Sequence, residues 1–286
     1  MGIFSDVLLT VDFDRTLTDP DSRIPEINLQ AIRFFMTNGG TFTVNTGRSV
    51  PMCRKFQDLV PVNAPLLVYN GAAWYDPKTA ELSNCYLIDA DPKKVVEDVQ
   101  GQFPELLMEI QGVKAHYAFR EDPIWQAYCE DNNGTWAYAD PRETGPFLKF
   151  SLAIFESCQV ADVYKSIPWE QEIFRKANNY IREKYAGLVD TTFACPRILD
   201  IQAKDVSKSR SAQDLKKKLG KKILVCVGDA RNDISMLDGA DYAFCPADGV
   251  VADRYPNVCP CGEGAVAEVI YKKIPEILGI QLDNQK

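Results

Sequence analysis

Short apolar runs alternate with helical periods at the start of the chain. The run Val7–Val11 is rich in β-branched residues and stops at Asp12, which is typical of a buried parallel strand with polar residues at its carboxyl end. Apolar residues then recur with a helical period over residues 27–38, before the glycines at 39 and 40. The same patterns predict strands over residues 41–45 and 66–69, with a helix over 51–59 between them. This alternation predicts an α/β fold built on a doubly wound parallel sheet.

The rhythm changes in the middle of the chain. Longer amphipathic helices are predicted over residues 92–103 and 168–185, and a strand-like run covers 147–155. The opening pattern resumes with predicted strands over 197–201, 223–227 and 242–245 and a helix over 265–274. We therefore expect a discontinuous core domain, residues 1–75 and 197–286, with an inserted α+β domain over 76–196.

Composition narrows the class of partner. Apolar residues make up 46% of the 286 residues, charged residues 25%, and the net charge is −8, so we expect a folded globular protein that binds neither nucleic acid nor an anionic membrane surface. No apolar run approaches the roughly 18 residues of a membrane span. The nine cysteines have no regular spacing and indicate reduced thiols in a cytoplasmic protein, which we expect to be a monomer or a weak homodimer.

Histidine chemistry is limited to one side chain. His116 is the single histidine of the chain, which excludes multi-histidine zinc sites. It lies in a stretch without the signature of a nucleophile, and a lone histidine is more often structural or exposed than catalytic. Proton transfers are therefore expected to fall to carboxylates.

Two carboxylates follow the first predicted strand. Asp12 and Asp14 are two residues apart, so in an extended segment both side chains point the same way. Carboxylates held this close repel one another unless a cation lies between them. The alternative interpretation is a turn after a strand with capping carboxylates.

A hydroxyl, a glycine and a cation follow the second core strand, in Thr46-Gly47-Arg48. The Thr46 hydroxyl and the flexible backbone at Gly47 can bring hydrogen-bond donors close to a phosphoryl oxygen. Arg48 can pair with a substrate anion.

Lys208 follows Ser207, a plausible N-cap of a helix that ends near Gly220. A cation in the first turn opposes the helix dipole, so Lys208 is not stabilised at this position unless an anion lies nearby. A solvated surface lysine is the alternative, and Lys204 is a rival for the same role.

A second acidic strand end comes after residues 223–227. Asp229 and Asp233, with Asn232 between them, follow that strand in the run Gly228–Asp233. Mg²⁺ prefers oxygen ligands and keeps several waters, so a few carboxylates and a backbone carbonyl suffice to hold it. In an open α/β sheet these strand ends share one crevice.

Taken in order, the four motifs resemble those of the haloacid dehalogenase superfamily: DxDxT, a Thr after the second strand, a Lys, and GDxxND. The spacing is similar to its Cof-like branch, in which a large α/β cap of type IIB lies between the second motif and the Lys. The run Asn70-Gly71-Ala72 also resembles the NGA element that precedes the cap. The resemblance covers the whole chain and implies a Rossmann-like core with an inserted cap.

The resemblance also implies a role for each residue. Asp12 would attack the phosphoryl group and form an aspartyl-phosphate, and Asp14 would protonate the leaving group and then activate water. The implied Mg²⁺ ligands are Asp12, the Asp14 backbone carbonyl, Asp229, and Asp233 directly or through water. The implied phosphate-binding residues are Thr46, Gly47, Arg48, Lys208 and Asn232.

Two positions depart from the family pattern. Arg15 stands where most relatives carry Gly, and Asn45 stands where Ala is usual. Arg15 reduces backbone freedom and adds a bulky cation beside the expected acid. We expect it to point to solvent rather than to substrate.

The expected activity is Mg²⁺-dependent hydrolysis of a small phosphomonoester, a sugar phosphate or a phosphorylated cofactor. Two alternatives stay open: a phosphosugar mutase similar to the phosphomannomutases, and a non-catalytic protein that binds a sugar phosphate. Cap residues would select the substrate and carry no transferable motif. The aromatic residues of the inserted segment favour packing over a pocket: Trp125, Tyr128, Trp136 and Tyr138.

Overall fold

The first sheet is parallel and forms the core domain. The structure is a computed structural model that describes residues 2–131, 134–154 and 171–282. The five strands of this sheet are β1 (Val7–Val11), β2 (Thr41–Val44), β12 (Ile223–Val227), β13 (Tyr242–Pro246) and β14 (Asn257–Val258). They lie in the order β14-β13-β12-β1-β2, and every neighbouring pair is parallel.

Both faces of this sheet are covered, which explains the continuous apolar runs. Alternate side chains of a strand point to opposite faces, and Leu9 of β1 belongs to a buried cluster with Phe35, whereas Leu8 belongs to another with Leu215. The covering helices are Glu26–Thr37, Lys208–Lys218, Ile234–Asp238 and the C-terminal run of Ala265–Glu268, Val269–Lys273 and Ile274–Leu278. The predicted doubly wound core is confirmed.

The inserted segment forms a second, mostly antiparallel sheet. Its described strands are β6 (Leu107–Gln111), β7 (His116–Ala118), β8 (Trp136–Tyr138), β9 (Lys149–Ala153), β10 (Val189–Cys195) and β11 (Ile198–Ala203), and its described helices are Pro92–Gln102, Pro123–Asp131 and Glu172–Lys184. The strand order is β10-β11-β9-β6-β7-β8, and among these described strands only the β7–β8 pair is parallel. Of the elements predicted here, residues 168–170 and Phe155 lie outside the described part of the chain.

The prediction of a core strand over residues 197–201 was wrong. β11 lies between β9 and β10 in the second sheet and is antiparallel to both. The turn between β10 and β11 is too short for a parallel crossover, which needs a dozen or more residues. We therefore place the return to the core after Ala203.

Two further predictions, over residues 51–59 and 66–69, need correction. Helix Val50–Cys53 is a single turn, and the chain continues after it in a series of turns. Phe56 and Val60 lie in those turns and are buried. Their spacing is the same as that of buried residues on one face of a helix, which is why the sequence pattern predicts a longer helix here. The strand predicted over 66–69 is β3 (Leu66–Val68), which pairs antiparallel with β4 (Ala73–Asp76) in a small sheet with β5 (Glu81–Ser83). A single parallel bridge, Asn45 to Leu67, joins β3 to the core.

Among the described residues, no helix combines the length and the apolar character that a membrane span requires.

Candidate active site

The carboxyl edge of the core sheet gathers the predicted residues. Asp12 follows β1, Thr46 follows β2 and Asp229 follows β12, and all three are buried. They line a cavity of about 100 Å³ between this edge and the second sheet. This is the crevice where an open α/β sheet binds its ligands.

Three carboxylates cluster at the cavity, and two of them pair with one ammonium group. Oxygens of Asp12, Asp229 and Asp233 lie within 4.8 Å of one another. The Lys208 Nζ donates to Asp12 Oδ1 and, at 2.7 Å, to Asp233 Oδ1. The rival Lys204 is half-exposed and pairs with Asp190. Lys208, not Lys204, therefore takes part in this site.

Burial and mutual repulsion shift the pKa values of this cluster. Burial raises the pKa of Asp12 to about 7, although Lys208 opposes the shift. Burial and the nearby Asp233 raise the pKa of Asp229 as well. Burial alone would lower the pKa of Lys208, but its two carboxylate partners raise it above its usual value. When all three carboxylates are ionised they outnumber their one cation, so the cluster favours protonation until a second cation binds.

The donor set fits a hard divalent cation. All three clustered groups are carboxylates, which Mg²⁺ prefers, and their excess negative charge favours a second cation. Asp233 Oδ1 accepts from Lys208, and its Oδ2 accepts from the backbone N–H groups of Asp229 at 3.1 Å and Ala230 at 3.0 Å. Both oxygens of Asp233 are thus engaged. This arrangement favours contact between Asp233 and a metal through water.

The glycine at position 228 allows Asp233 to lie close to the backbone after β12. A Cβ at Gly228 would lie 2.6 Å from the Cβ of Asp233, so only glycine allows this loop to fold back. Thr16 Oγ1 donates to Asp229 Oδ1 at 2.9 Å. The Ser207 hydroxyl accepts from Arg210 N at 3.1 Å and caps the helix that begins at Lys208.

Asp14 and Arg48 form a bidentate pair. Arg48 Nε donates to Asp14 Oδ2 at 2.8 Å and Nη2 donates to Oδ1 at 2.7 Å. Burial alone would raise the pKa of Asp14, but Arg48 lowers it below its usual value. The guanidinium also lies over the Phe13 ring. Arg48, expected to contact substrate, lines the cavity while bound to the expected acid.

The remaining predicted phosphate-binding groups also reach the cavity, whose lining includes Thr46, Gly47 and Asn232. Thr46 Oγ1 accepts from the backbone N–H of Arg48 at 3.1 Å. The Gly47 carbonyl accepts from Lys149 Nζ at 2.8 Å, a contact between the core and the second sheet.

The two departures from the family pattern have different structural contexts. Arg15 is half-buried and has a φ of +58° and a ψ of 14°, the left-handed region in which glycine is unstrained. Asn45 is buried, and its Nδ2 donates to the Lys208 carbonyl at 2.9 Å. Asn45 therefore helps to hold the first turn of the helix that carries Lys208.

The cavity wall formed by the second sheet was not predicted. Its polar lining residues are Glu109, Gln111, His116, Lys149 and Asp200. Polar residues at alternate positions of otherwise apolar strands were the available signal, because such residues share one face of a sheet.

His116 has a structural setting within this wall. Its side chain is buried, with Nε2 2.6 Å from Ser49 Oγ and Nδ1 3.2 Å from Glu109 Oε2. It thereby links the second sheet to the loop after β2.

The aromatic residues of the inserted segment divide into two groups. Trp125 is buried and packs against Trp136 and Tyr138, as expected for packing residues. Tyr128 instead lines the cavity.

The chain is similar to hydrolases along most of its length. The family model of the haloacid dehalogenase-like hydrolases matches residues 9–251. A protein named as a phosphatase from Buchnera aphidicola subsp. Baizongia pistaciae is 26% identical over 246 residues, 81% of this chain and 82% of that protein. The 5-amino-6-(5-phospho-D-ribitylamino)uracil phosphatase of Bacillus subtilis is 20% identical over 237 residues, 82% of this chain and 80% of that protein. The structure of a HAD subclass IIB sugar phosphatase has a TM-score of 0.73 at 16% identity, and the match covers 95% of this chain and 98% of that one.

Proposed function

Because this chain belongs to the haloacid dehalogenase-like hydrolases, we propose that it is a Mg²⁺-dependent phosphatase acting on a small phosphomonoester through an aspartyl-phosphate on Asp12. The observation that carries the proposal is the position of Asp12. It is a buried carboxylate at a strand end that lines the cavity, in contact with Lys208 and close to Asp229. Lys208 donates to Asp12 Oδ1, which leaves Oδ2 for attack on phosphorus.

The first chemical step forms a bond between Asp12 and phosphorus and breaks the bond between phosphorus and the ester oxygen. Asp14 gives its proton to the departing alkoxide. In the second step Asp14 takes a proton from water, the water oxygen bonds to phosphorus, and the aspartyl–phosphate bond breaks. Inorganic phosphate leaves, Asp12 is again a free carboxylate, and Asp14 again carries the proton that it gave to the alkoxide.

Arg48 has to leave Asp14 before the first step. The bidentate pair stabilises the carboxylate form of Asp14, and an acid must be protonated to donate. A phosphoryl group in the cavity offers oxygens that compete for the Arg48 fork. We propose that Arg48 moves onto the substrate phosphate, which raises the pKa of Asp14 so that it takes a proton from solvent and can act as the acid. When phosphate leaves and Arg48 returns to Asp14, that proton goes back to solvent.

The carboxylate cluster is the proposed Mg²⁺ site. Asp12, the Asp14 backbone carbonyl and Asp229 would be ligands, and Asp233 would contribute through water. The bound cation would neutralise charge on the transferring phosphoryl oxygens. Thr46 and Asn232 would donate to the same oxygens.

A small phosphorylated metabolite is the proposed substrate class. Two similar proteins are named for sugar and ribityl phosphates, and the cavity is small. The eight cysteines that the structure describes are free, which agrees with the proposed cytoplasmic location.

Turnover of p-nitrophenyl phosphate with and without Mg²⁺ tests the mechanism. We expect EDTA to abolish activity and Asp12→Asn to lower kcat by roughly 10³-fold or more. Asp21→Asn is the matched control, because the same chemical change falls on a side chain that is 73% exposed. Activity that survives Asp12→Asn or ignores EDTA overturns the proposal. Release of inorganic phosphate from a sugar phosphate, rather than transfer to a second sugar, separates hydrolysis from mutase activity.

A further inference from the structure

Two peptide groups flank Gly47 in the loop after β2, and the carbonyl oxygen of each is held by a hydrogen bond. The Thr46 carbonyl accepts from the backbone N–H of Asn70 at 3.0 Å. The Gly47 carbonyl accepts from Lys149 Nζ at 2.8 Å. Because a peptide group is planar, a bond that holds its oxygen also restricts the direction of its N–H. Asn70 and Lys149 therefore orient the two N–H groups of this loop, those of Gly47 and Arg48.

This arrangement leaves two donors for a ligand in the cavity. The N–H of Arg48 donates to Thr46 Oγ1 at 3.1 Å, so the Thr46 hydroxyl already accepts a bond and keeps its own proton to donate. The N–H of Gly47 has no acceptor among the residues that the structure describes. Gly47 is partly exposed, and both Thr46 and Gly47 line the cavity. A phosphoryl group in the cavity would therefore meet the Thr46 hydroxyl and the Gly47 N–H.

One carboxylate of the second sheet binds both of the residues that hold this loop. Asp200 Oδ2 accepts from Lys149 Nζ at 2.9 Å and from Asn70 Nδ2 at 2.8 Å. Its Oδ1 accepts from Ser151 Oγ at 2.6 Å. All four side chains are buried, so solvent ions screen these charged hydrogen bonds little. Asp200 therefore fixes the positions of the Lys149 ammonium group and the Asn70 amide.

The network joins elements of both domains. Lys149 begins β9 and Asp200 lies on the neighbouring β11, whereas Gly47 and Asn70 follow β2 and β3. A Cβ at Gly47 would lie 2.8 Å from Asn70 Oδ1, so a glycine is needed for this close approach. Asn70 has a φ of +54°, a conformation that asparagine adopts more readily than most residues. The loop is therefore held on one side by the core and on the other by the second sheet.

We infer that Lys149 is a positioning residue for the phosphate-binding loop, residues 46–48, which it holds through the Gly47 carbonyl. Asp200 in turn positions Lys149. Neither side chain needs to touch the phosphoryl group, because the Thr46 hydroxyl and the Gly47 N–H make that contact. This inference rests on the proposed phosphatase function and adds to it a residue of the second sheet that acts on phosphate binding through the loop.

Replacing Lys149 by Met tests the effect on turnover and on phosphate binding. Without the ammonium group the Gly47 carbonyl loses its donor and the loop gains freedom, so we expect kcat/KM for p-nitrophenyl phosphate to fall by about 10–100-fold. The inhibition constant of inorganic phosphate should rise by about 10-fold, because phosphate meets the same loop donors without a leaving group.

The control for this measurement is Lys184→Met. Lys184 pairs with Asp98 at 3.0 Å and is not among the described residues that line the cavity. Both kcat/KM and the inhibition constant of phosphate should stay within about twofold in this variant. Changes that are equally small in Lys149→Met overturn the inference.

A double-mutant cycle with Thr46→Val separates positioning from direct contact. If Lys149 acts through the loop, removing the Thr46 hydroxyl takes away most of what Lys149 positions. The loss from Lys149→Met should then shrink to within about threefold in the Thr46→Val background, because the effects of residues that act through one another are not additive. A loss of the same size in both backgrounds means that Lys149 contacts the substrate itself or only supports the fold, and it overturns the inference. Full activity in Thr46→Val overturns it as well.

Failure to fold and failure of the proposed function are distinguished separately. Lys149→Met leaves Asp200 without its cation, and breaking a buried ion pair is destabilising. If this variant does not fold, Lys149→Met/Asp200→Asn, which removes the pair as a whole, replaces it in both measurements with the same expected outcomes. If the unmodified enzyme does not hydrolyse p-nitrophenyl phosphate, the phosphatase proposal itself fails. If it does and the losses are additive, only the inference about Lys149 fails.

Discussion

Arg48 holds Asp14 through two parallel hydrogen bonds of 2.8 and 2.7 Å. The pair joins a residue expected to bind phosphate to the residue expected to move the proton. Because the pair lowers the pKa of Asp14, Asp14 is a carboxylate at neutral pH for as long as Arg48 stays paired with it. Arrival of the phosphoryl group and protonation of the acid are therefore coupled through one side chain.

The variant Arg48→Met tests this coupling through stability. The folded-state pKa of Asp14 is lowered, so its contribution to the free energy of unfolding is present above the unfolded pKa of about 3.9. That contribution is lost as the pH falls through the folded pKa. We expect the stability difference between Arg48→Met and the unmodified protein to be largest near pH 7 and to shrink below about pH 4, as measured by denaturant unfolding across this range.

The neighbouring Arg54→Met is the matched control, since Arg54 is exposed. It should change stability little at any pH. A stability loss in Arg48→Met that does not depend on pH would point instead to lost packing on Phe13 and would contradict the coupling.

Magnesium binding should depend on pH around neutrality. Burial raises the pKa values of Asp12 and Asp229, and a carboxylate must lose its proton to bind a metal. We expect tighter Mg²⁺ binding at pH 8 than at pH 6, by roughly tenfold for one proton released. Calorimetry in two buffers of different ionisation enthalpy measures the protons released.

The variant Asp12→Asn provides the comparison for this measurement. It removes a titrating ligand, so Mg²⁺ should bind more weakly and with a smaller pH dependence. Affinity for Mg²⁺ that is constant from pH 6 to pH 8 in the unmodified protein would contradict the pKa directions given above.

The core sheet and its strand ends could be predicted from the sequence because their signals are local. An apolar run that stops at an acidic residue, as at Val11 and Asp12, is set by burial of the strand on both faces and by the polar cavity at its end. Since parallel strands place their carboxyl ends at one edge, motifs far apart in sequence were expected to meet. The structure brings Asp12, Thr46 and Asp229 to one cavity.

The cavity wall opposite Asp12 could not be predicted, because it depends on pairings between distant strands. Glu109, Ser151 and Asp200 become neighbours only through the order of β6, β9 and β11. Their strands have no carboxyl-edge motif. For the same reason β11 was assigned to the core, since its apolar pattern fits either sheet.

Replacing Arg15 by Gly should be tolerated or stabilising. The left-handed conformation at Arg15 costs a non-glycine residue about 1–2 kcal/mol, whereas glycine loses more backbone entropy on folding. These effects oppose each other, so Arg15→Gly should change the free energy of unfolding by less than about 1 kcal/mol. Arg15→Val, with a β-branched side chain, should lower it by about 2 kcal/mol or more.

Measuring the activity of Arg15→Gly shows whether the Arg15 side chain contacts the substrate or only strains the backbone. If Arg15 does not contact the substrate, Arg15→Gly keeps kcat/KM for p-nitrophenyl phosphate within about twofold. A large loss in Arg15→Gly without loss of stability would assign the guanidinium to substrate binding.

Replacing Lys208 by Met should remove activity and destabilise the site. The fully buried ammonium contacts Asp12 and Asp233, and removing one partner of such a group costs about 3–5 kcal/mol. Without Lys208 the pKa of Asp12 should rise further, because the lysine now lowers it. The stability loss should therefore be deepest above about pH 7 and should shrink as the carboxylates protonate. Added Mg²⁺ should restore part of it, since the metal supplies charge to the same cluster.

The variant Lys204→Met is the control for Lys208→Met, as it deletes an ammonium group from the half-exposed pair with Asp190. We expect kcat for p-nitrophenyl phosphate to fall by on the order of 10²–10³ in Lys208→Met and to stay within about twofold in Lys204→Met. Similar activity in the two variants would contradict a role for Lys208 beside Asp12. Loss of stability without loss of kcat would limit Lys208 to neutralising the buried carboxylates, because a group that grips the phosphoryl oxygens must affect turnover.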